Sequence, residues 1–243
     1  MTTFADESPA FDHLLHWVPD VPAAVEAYRA VDLPAHAHDA LSGFQNGGWR
    51  LDERYVEILT VTDEEELRSS RYAEGLALLR PAIDALGGSG GAITFSVNVR
   101  DVRATAERLR EQGHRVEEFA VTLEEHGVSF VEAFVLDGPA WAPFFITYDP
   151  PRERLLADIP PGSFSRGPHD LAGLVVETPD PEGAAGYLAA LLGCERDGWR
   201  VPLPGAEVTF ERGDREGIVA LTLREGPPRP PAEVEGLTLR FEG

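Results

Sequence analysis

The chain has 243 residues, 43% of them hydrophobic and 26% charged, enough to bury a sizeable core in one or two domains without covalent staples. Its formal net charge of −21 disfavours nucleic-acid phosphates and anionic membrane surfaces as partners. All 21 basic residues are Arg, which excludes the lysine chemistry of pyridoxal-phosphate enzymes, Schiff-base aldolases and phosphate-cradling P-loops.

The N-terminal MTTFADESPA has neither a basic start nor an apolar core, so no signal peptide is expected. Residues 12–18 alternate with large apolar groups and suit a strand. Pro19 ends it, and Asp20 is placed to cap a helix whose inner face is Val21, Ala24, Val25 and Tyr28. Three β-like runs follow, around Ala35–His38, Gly43–Leu51 and Arg54–Val61, giving the order β-α-β-β-β. Asp63–Leu86 lies outside this pattern, with Leu76, Leu79 and Ile83 at helical spacing, and runs into the glycines Gly87–Gly91. Ser89 fits the nucleophile-elbow string, but a helix precedes it and a strand follows, the reverse of what that elbow needs. The expected role is a hinge that lets 63–91 close as a lid over a pocket.

The pattern then returns. Ile93–Val97 reads as a strand, Asp101 as the cap of a helix facing inward through Val102, Ala106 and Leu109, and Gly113 as its stop. Strands are expected near Arg115–Val121, Val128–Leu136 and Pro143–Tyr148. Pro150–His169, rich in Pro, Gly and Arg, reads as a linker. Beyond it Leu174–Asp180, LVVETPD, follows Leu14–Asp20, LLHWVPD, almost step for step. Pro181 opens the third helix, lined by Ala184, Ala185, Leu188 and Leu191, and Gly193 closes it. Strands are expected at Arg196–Val201, Glu207–Glu211 and Ile218–Leu223, with a last one at Leu237–Phe241 after the proline-rich Gly226–Pro231. Cys194 is the only cysteine, which excludes an internal disulfide or zinc-thiolate cluster and suits a reducing compartment. No apolar run approaches the roughly 18 residues that span a bilayer; a cytoplasmic protein is expected.

The order of these motifs resembles the vicinal oxygen chelate superfamily, and within it the glyoxalase-like domain proteins. The residues that carry the likeness are Asp12-His13 with Val18-Pro19-Asp20, Tyr55-Val56-Glu57, the glycine run before Ala92, Pro143-Phe144-Phe145-Ile146 and the LAGLVVETPDPEGAA opening of the third repeat. The resemblance implies an α+β fold in which tandem β-α-β-β-β modules form a curled, mixed-sheet open barrel. On this chain that is a two-module barrel over 10–150 with the lid at 63–91, a linker at 151–168 and a third module with an extra strand over 169–243. It also implies a glyoxalase-like small-molecule enzyme, running a metal-assisted or carboxylate-assisted lyase, isomerase or dioxygenase-type step on a vicinal-oxygen substrate. Its alternative is a metal-free, drug-sequestering binding protein.

Carried over residue by residue, His13 and Glu57 fall on the first module's ligand positions for a divalent metal (Zn, Ni, Mn or Fe). In the second module Thr94 or Ala92 takes the histidine position, and no carboxylate stands around Phe145–Thr147; the third offers Gly173 opposite His13. Two protein ligands do not normally hold a catalytic metal. Glu132 is the better candidate to complete the set, because strand alternation points His16 away from His13. Without a metal, Glu57 needs another partner, such as Arg54 or Arg50, or becomes a candidate general base, with Glu132 beside it. His36 and His38 share a strand face but read as an exposed edge; His126 reads as a hairpin turn and His169 as a linker residue. Trp17, Trp49, Trp141, Phe144 and Phe145 are core by default, with Trp17 on the His13 face; Trp17, Trp49 and Phe145 are the candidate substrate contacts. Because the third module has no complete partner in the chain, its apolar face (Leu174, Val176, Val208, Phe210, Val219, Leu221) is expected to meet a second copy in a homodimer.

Overall fold

Asp20, Asp101 and Asp180 each hold an extended or near-extended backbone and accept hydrogen bonds from the first turn of the helix that follows. These caps set α1 (Val21–Arg29), α4 (Val102–Glu111) and α6 (Pro181–Leu192) at the same place in three successive units. The computed structural model describes residues 7–157 and 165–242. Residues 158–164, in the middle of the expected linker, and 1–6 of the N-terminal stretch lie outside the described residues.

In the first unit β1 (Ala10–Trp17) pairs in parallel with β4 (Tyr55–Val61), which pairs antiparallel with β3 (Phe44–Arg50), and β3 with β2 (His36–Ala37). The second repeats it: β5 (Gly91–Asn98) is parallel to β8 (Phe144–Asp149), and β7 (Val128–Val135) and β6 (Val116–Leu123) follow antiparallel. Antiparallel pairing of β1 with β5 joins the two.

The third unit departs from expectation. β9 (Asp170–Thr178) is parallel to β11 (Ala206–Arg212), which carries β10 (Arg200–Leu203), so one strand is missing. β12 (Gly217–Arg224), expected as the unit's last strand, instead lies antiparallel to β9 as β5 does to β1. β14 (Leu237–Phe241) is parallel to β12, and β13 (Ala232–Val234), which the sequence reading missed, is antiparallel to β14. β12–β14 thus form a shortened fourth unit with the proline-rich Gly226–Pro231 where a helix would stand. The prolines there lack the N–H that helix bonding needs, and they favour extended or turn backbone. One bridge, Ile218 to Ala92, links β12 to β5, and the described strands make one curled, open, mixed 14-stranded sheet.

Strand alternation sorts the side chains into two cores. The larger gathers Phe11, Leu14, Phe95 and Val97 with the inner faces of α1, α4 and α6 and with Leu174, Val176, Val208, Phe210 and Leu221. Those last five are 0–1% exposed in a single chain, with Val219 half-buried. The apolar face on which the homodimer argument rested is therefore covered from within, by pairing of the third unit with the shortened fourth and by packing onto the first two. The smaller core lies inside the cup of units one and two, where Leu15, Leu59, Ile93, Phe119, Phe134 and Phe144 meet Leu76, Leu79 and Ile83. These last come from the segment expected to act as a lid, which folds as α2 (Glu64–Arg68) and α3 (Ala73–Ala85). After β8 a further short helix, α5 (Arg152–Ala157), stands where only linker was expected. Among the described residues no helix is long and apolar enough to cross a membrane.

Candidate functional site

β1 is the central strand of the cup, and all its residues from Phe11 to His16 are buried. Its register against β5 jumps between Phe11 and His13, so Asp12 is an inserted residue. Such a bulge turns the strand and re-aims its side chains. Phe11 consequently enters the larger core while His13, two residues on, faces the cup.

Parallel pairing sets Tyr55 beside His13 and Glu57 beside Leu15. His13 Nε2 and Glu57 Oε2 come to 3.9 Å, and the Tyr55 ring stacks on the imidazole at 4.5 Å. On the other side Asp12 Oδ1 lies 2.7 Å from His13 Nδ1. Asp12 also accepts from the Tyr148 hydroxyl at 2.9 Å and from Arg152 Nη1 at 2.9 Å. Burial pushes the Asp12 carboxyl up, but the hydrogen bond and charge of His13, then Arg152 and Tyr148, outweigh it and hold the group below its usual range. An ionised carboxylate only accepts, so Nδ1 carries the proton and Nε2 is presented to the cup. Glu57 is steadied by Asn46, whose Nδ2 donates to its Oε1 at 3.0 Å.

These groups open on a cavity of about 250 Å³. Leu76 and Leu79 of α3 roof it, and Phe119, Phe130, Phe134 and Phe144 supply apolar walls. Glu132, on β7, also lines it and makes no hydrogen bond or ion pair with any described residue. Burial, with the negative charges of Glu57 and Asp12, pushes its carboxyl up to about 8. Burial also raises the Tyr55 and Tyr148 hydroxyls well above their usual value, which keeps them protonated donors.

The sequence-predicted residues divide accordingly. His13, Glu57 and Glu132 share the cavity. Trp17 packs half-buried on the inner core without lining the cavity. Trp49 and Phe145 do not reach it: both are buried in the larger core, and Trp49 Nε1 donates to the Arg166 carbonyl. Alternation explains both corrections, since Asn46 on β3 and Phe144, Ile146 and Tyr148 on β8 take the cup-facing positions. His16 does face away, bonded to the Tyr28 hydroxyl and the Glu235 carbonyl, and burial lowers its pKa to about 4. His36, His38 and His126 are exposed; His169 is buried against the Phe241 ring. Arg54, offered as a partner for Glu57, is engaged by Asp52 and Asp170 instead, and Arg50 sits over the Tyr55 ring. Sequence reasoning missed Asn46, Tyr148 and Arg152 as neighbours of the site. Only Asp12 carried a signal, its adjacency to His13.

The donors present do not fit a resident metal. Thr94, seven residues before its helix cap as His13 is before Asp20, turns its Oγ1 to the Ala142 carbonyl at 2.7 Å. The pairing of Ser96 with Phe144 corresponds to that of Leu15 with Glu57, so a phenyl ring stands at the second unit's carboxylate position. That ring meets His13 edge-on at 5.6 Å. Among the described residues no group of three or more His, Cys, Asp or Glu is arranged to hold an ion.

Residues 11–192 match the family described as glyoxalase-like domain. A hypothetical protein from Staphylococcus aureus superposes with a TM-score of 0.78 at 15% identity, over 96% of this chain and 99% of that one. A mutant of 4-hydroxymandelate synthase from Streptomyces coelicolor gives 0.53 at 11% identity, over 90% of this chain and 71% of that one. Methylmalonyl-CoA epimerase from Streptomyces coelicolor, in complex with 2-nitronate-propionyl-CoA, gives 0.40 at 20% identity, over 57% of this chain and 93% of that one. At 15% and 11% identity the likeness to the first two is one of fold alone. No curated protein matches the chain.

Proposed function

The chain belongs to the glyoxalase-like domain family of the vicinal oxygen chelate superfamily, and from that premise we propose that it is a small-molecule enzyme moving a proton on a carbonyl substrate without a resident metal. The observation that carries this reading is the pair of carboxyl groups lining one cavity with unlike surroundings, Glu57 held by Asn46 and Glu132 bonded to no described residue. Carboxyl groups set apart in this way can serve as base and acid in one site.

Glu57 takes the proton from the carbon next to the carbonyl. The C–H electron pair moves into the carbon–carbon bond, and the carbonyl oxygen takes the O–H proton of Glu132, leaving an enol. Glu57 then returns its proton, or one exchanged with solvent, as the enol O–H proton goes back to Glu132. Delivery to the same carbon exchanges the α-hydrogen, and delivery to the neighbouring carbon of an enediol gives the isomer. His13, oriented by Asp12, positions the Glu57 carboxylate and excludes water from one side of it. The lid segment closes the cavity, which strengthens each of these interactions. Residues 10–150 carry the site, residues 169–243 brace it from behind, and the setting is cytoplasmic.

The test is solvent exchange. Carbonyl compounds incubated with the protein in D₂O should lose their α-proton signal in NMR, at least a hundredfold slower with Glu57→Gln. Exchange equally fast with the variant would overturn Glu57 as base. Stoichiometric metal in protein purified without chelator, lost in His13→Ala, would overturn the metal-free step. The second reading, a binding protein, is favoured by the aromatic walls and by Phe144 standing at a ligand position. Tight binding with no exchange for any bound carbonyl compound would establish it.

A further inference from the structure

The lining of the cavity is lopsided in charge. Among the described residues it contains two carboxyl groups, Glu57 and Glu132, and no arginine, although the chain has 21 of them and no lysine to substitute. The two arginines that approach from behind are engaged: Arg152 on Asp12 and the Phe11 carbonyl, Arg50 on the Tyr55 ring and the Asp52 carbonyl. An anionic ligand entering this space would meet Glu57 at short range with no compensating cation in a low-dielectric site. The net charge of −21 opposes its approach from further away.

Glu132 supplies the positive half of the argument. Glu132 is half-buried on the cavity wall and has no hydrogen-bond partner among the described residues, so its carboxyl is left for whatever occupies the cavity. The charges that face Glu132 are those of Glu57 and Asp12, and the cavity's other titratable groups around it are His13, Tyr55, Tyr72 and Tyr148. With its pKa near 8, the group is mainly a protonated O–H donor at neutral pH, and no described residue accepts from it. An oxygen on a ligand in the cavity can take that place. The surrounding walls, Leu15, Leu76, Leu79, Phe119, Phe130 and Phe134, want an apolar body. At about 250 Å³ the space is smaller than the roughly 300–1,000 Å³ usual for drug-sized ligands.

We propose that this cavity is built for a small uncharged carbonyl compound with an apolar body and turns away carboxylates and phosphates. The inference rests on the site described under the proton-transfer reading and names the ligand class of that site. Its immediate consequence is that the carbonyl oxygen is bound by Glu132 before any proton moves.

Three probes with one phenylalkyl body separate the possibilities: benzylacetone, hydrocinnamate and phenylpropylammonium, measured by equilibrium dialysis against the full chain at pH 7 and pH 9. Benzylacetone is expected to bind at least tenfold more tightly than hydrocinnamate at pH 7. Its affinity should fall at pH 9, where Glu132 loses the proton it donates. Glu132→Gln, which keeps an N–H donor, should retain benzylacetone at both pH values, and Glu132→Leu should lose it. Hydrocinnamate binding as tightly as benzylacetone, the ammonium binding best of the three, or no binding by any probe would each overturn the proposal. The two readings fail separately. Exchange in D₂O without charge preference removes this inference alone, whereas charge preference without exchange removes the enzyme and leaves a selective binder.

Discussion

Arg54→Leu should destabilise the protein by about 3 kcal/mol, and the reason lies in how the two halves of the chain are tied. Arg54, just before β4, is 8% exposed, yet its guanidinium reaches across to the second half. Nη2 donates to Asp170 Oδ1 at 2.7 Å, and Nη1 donates to the Gly205 carbonyl at 2.8 Å and the Leu171 carbonyl at 3.3 Å. Removing one member of a buried ion pair costs about 3–5 kcal/mol, chiefly because the other charge stays buried. Asp170 would keep Arg224, at 3.0 Å, so the lower end of that range applies. Against a total stability of about 5–15 kcal/mol the loss is large. Its pH dependence has a definite sign. Burial pushes the Asp170 carboxyl up, but hydrogen bonds and charges from Arg224 and Arg54 outweigh it and hold the group below 3.8. A depressed carboxyl contributes stability that is present above the unfolded-state value and is lost as pH falls through the folded-state one. The gap between wild type and variant should therefore be full at pH 7 and shrink as pH falls below 3.8. Urea unfolding at both ends of that window measures it. A loss under about 1 kcal/mol at pH 7, the range of exposed pairs, would refute the reasoning, as would a pH-independent gap.

Arg152→Ala should raise the Asp12 pKa, because it removes a positive charge and a charge-assisted hydrogen bond that favour the ionised carboxyl. Carbon-13 NMR of the carboxyl reads it directly; Arg152→Lys should recover part of the shift, and an unmoved Asp12 would show that His13 and Tyr148 set it without the arginine. Amide hydrogen exchange should be faster across α3 than across β5, because Leu76, Leu79 and Ile83 are only partly buried whereas β5 is buried from Gly91 to Val97. Equal protection would mean that α3 is a fixed wall. Light scattering across a dilution series should give a mass near 26.5 kDa, since the apolar face of the third unit is covered within the chain. A dimer persisting at low concentration would place the interface elsewhere.

Much of the architecture was legible because its signals are local. An aspartate cap, a 3.6-residue apolar face and a closing glycine need only neighbouring residues, so all three capped helices and most strands stand where residue type and spacing put them. The meeting of His13 and Glu57 was also legible, through the resemblance, since parallel pairing of β1 with β4 brings the DH and YVE segments side by side. What the sequence could not determine is which strand pairs with which, and which face each side chain takes. A single inserted residue at Asp12 separates Phe11 from His13 and creates the Asp12–Arg152 contact across 140 positions. A one-residue difference in parity puts Phe144 rather than Phe145 in the cavity and sends Trp49 to the core. β12 reads as the end of the third unit, yet pairs as the start of a fourth. Each outcome depends on contacts between residues distant along the chain, because a strand's edge bonds and its two faces are satisfied only by whatever the fold brings beside it.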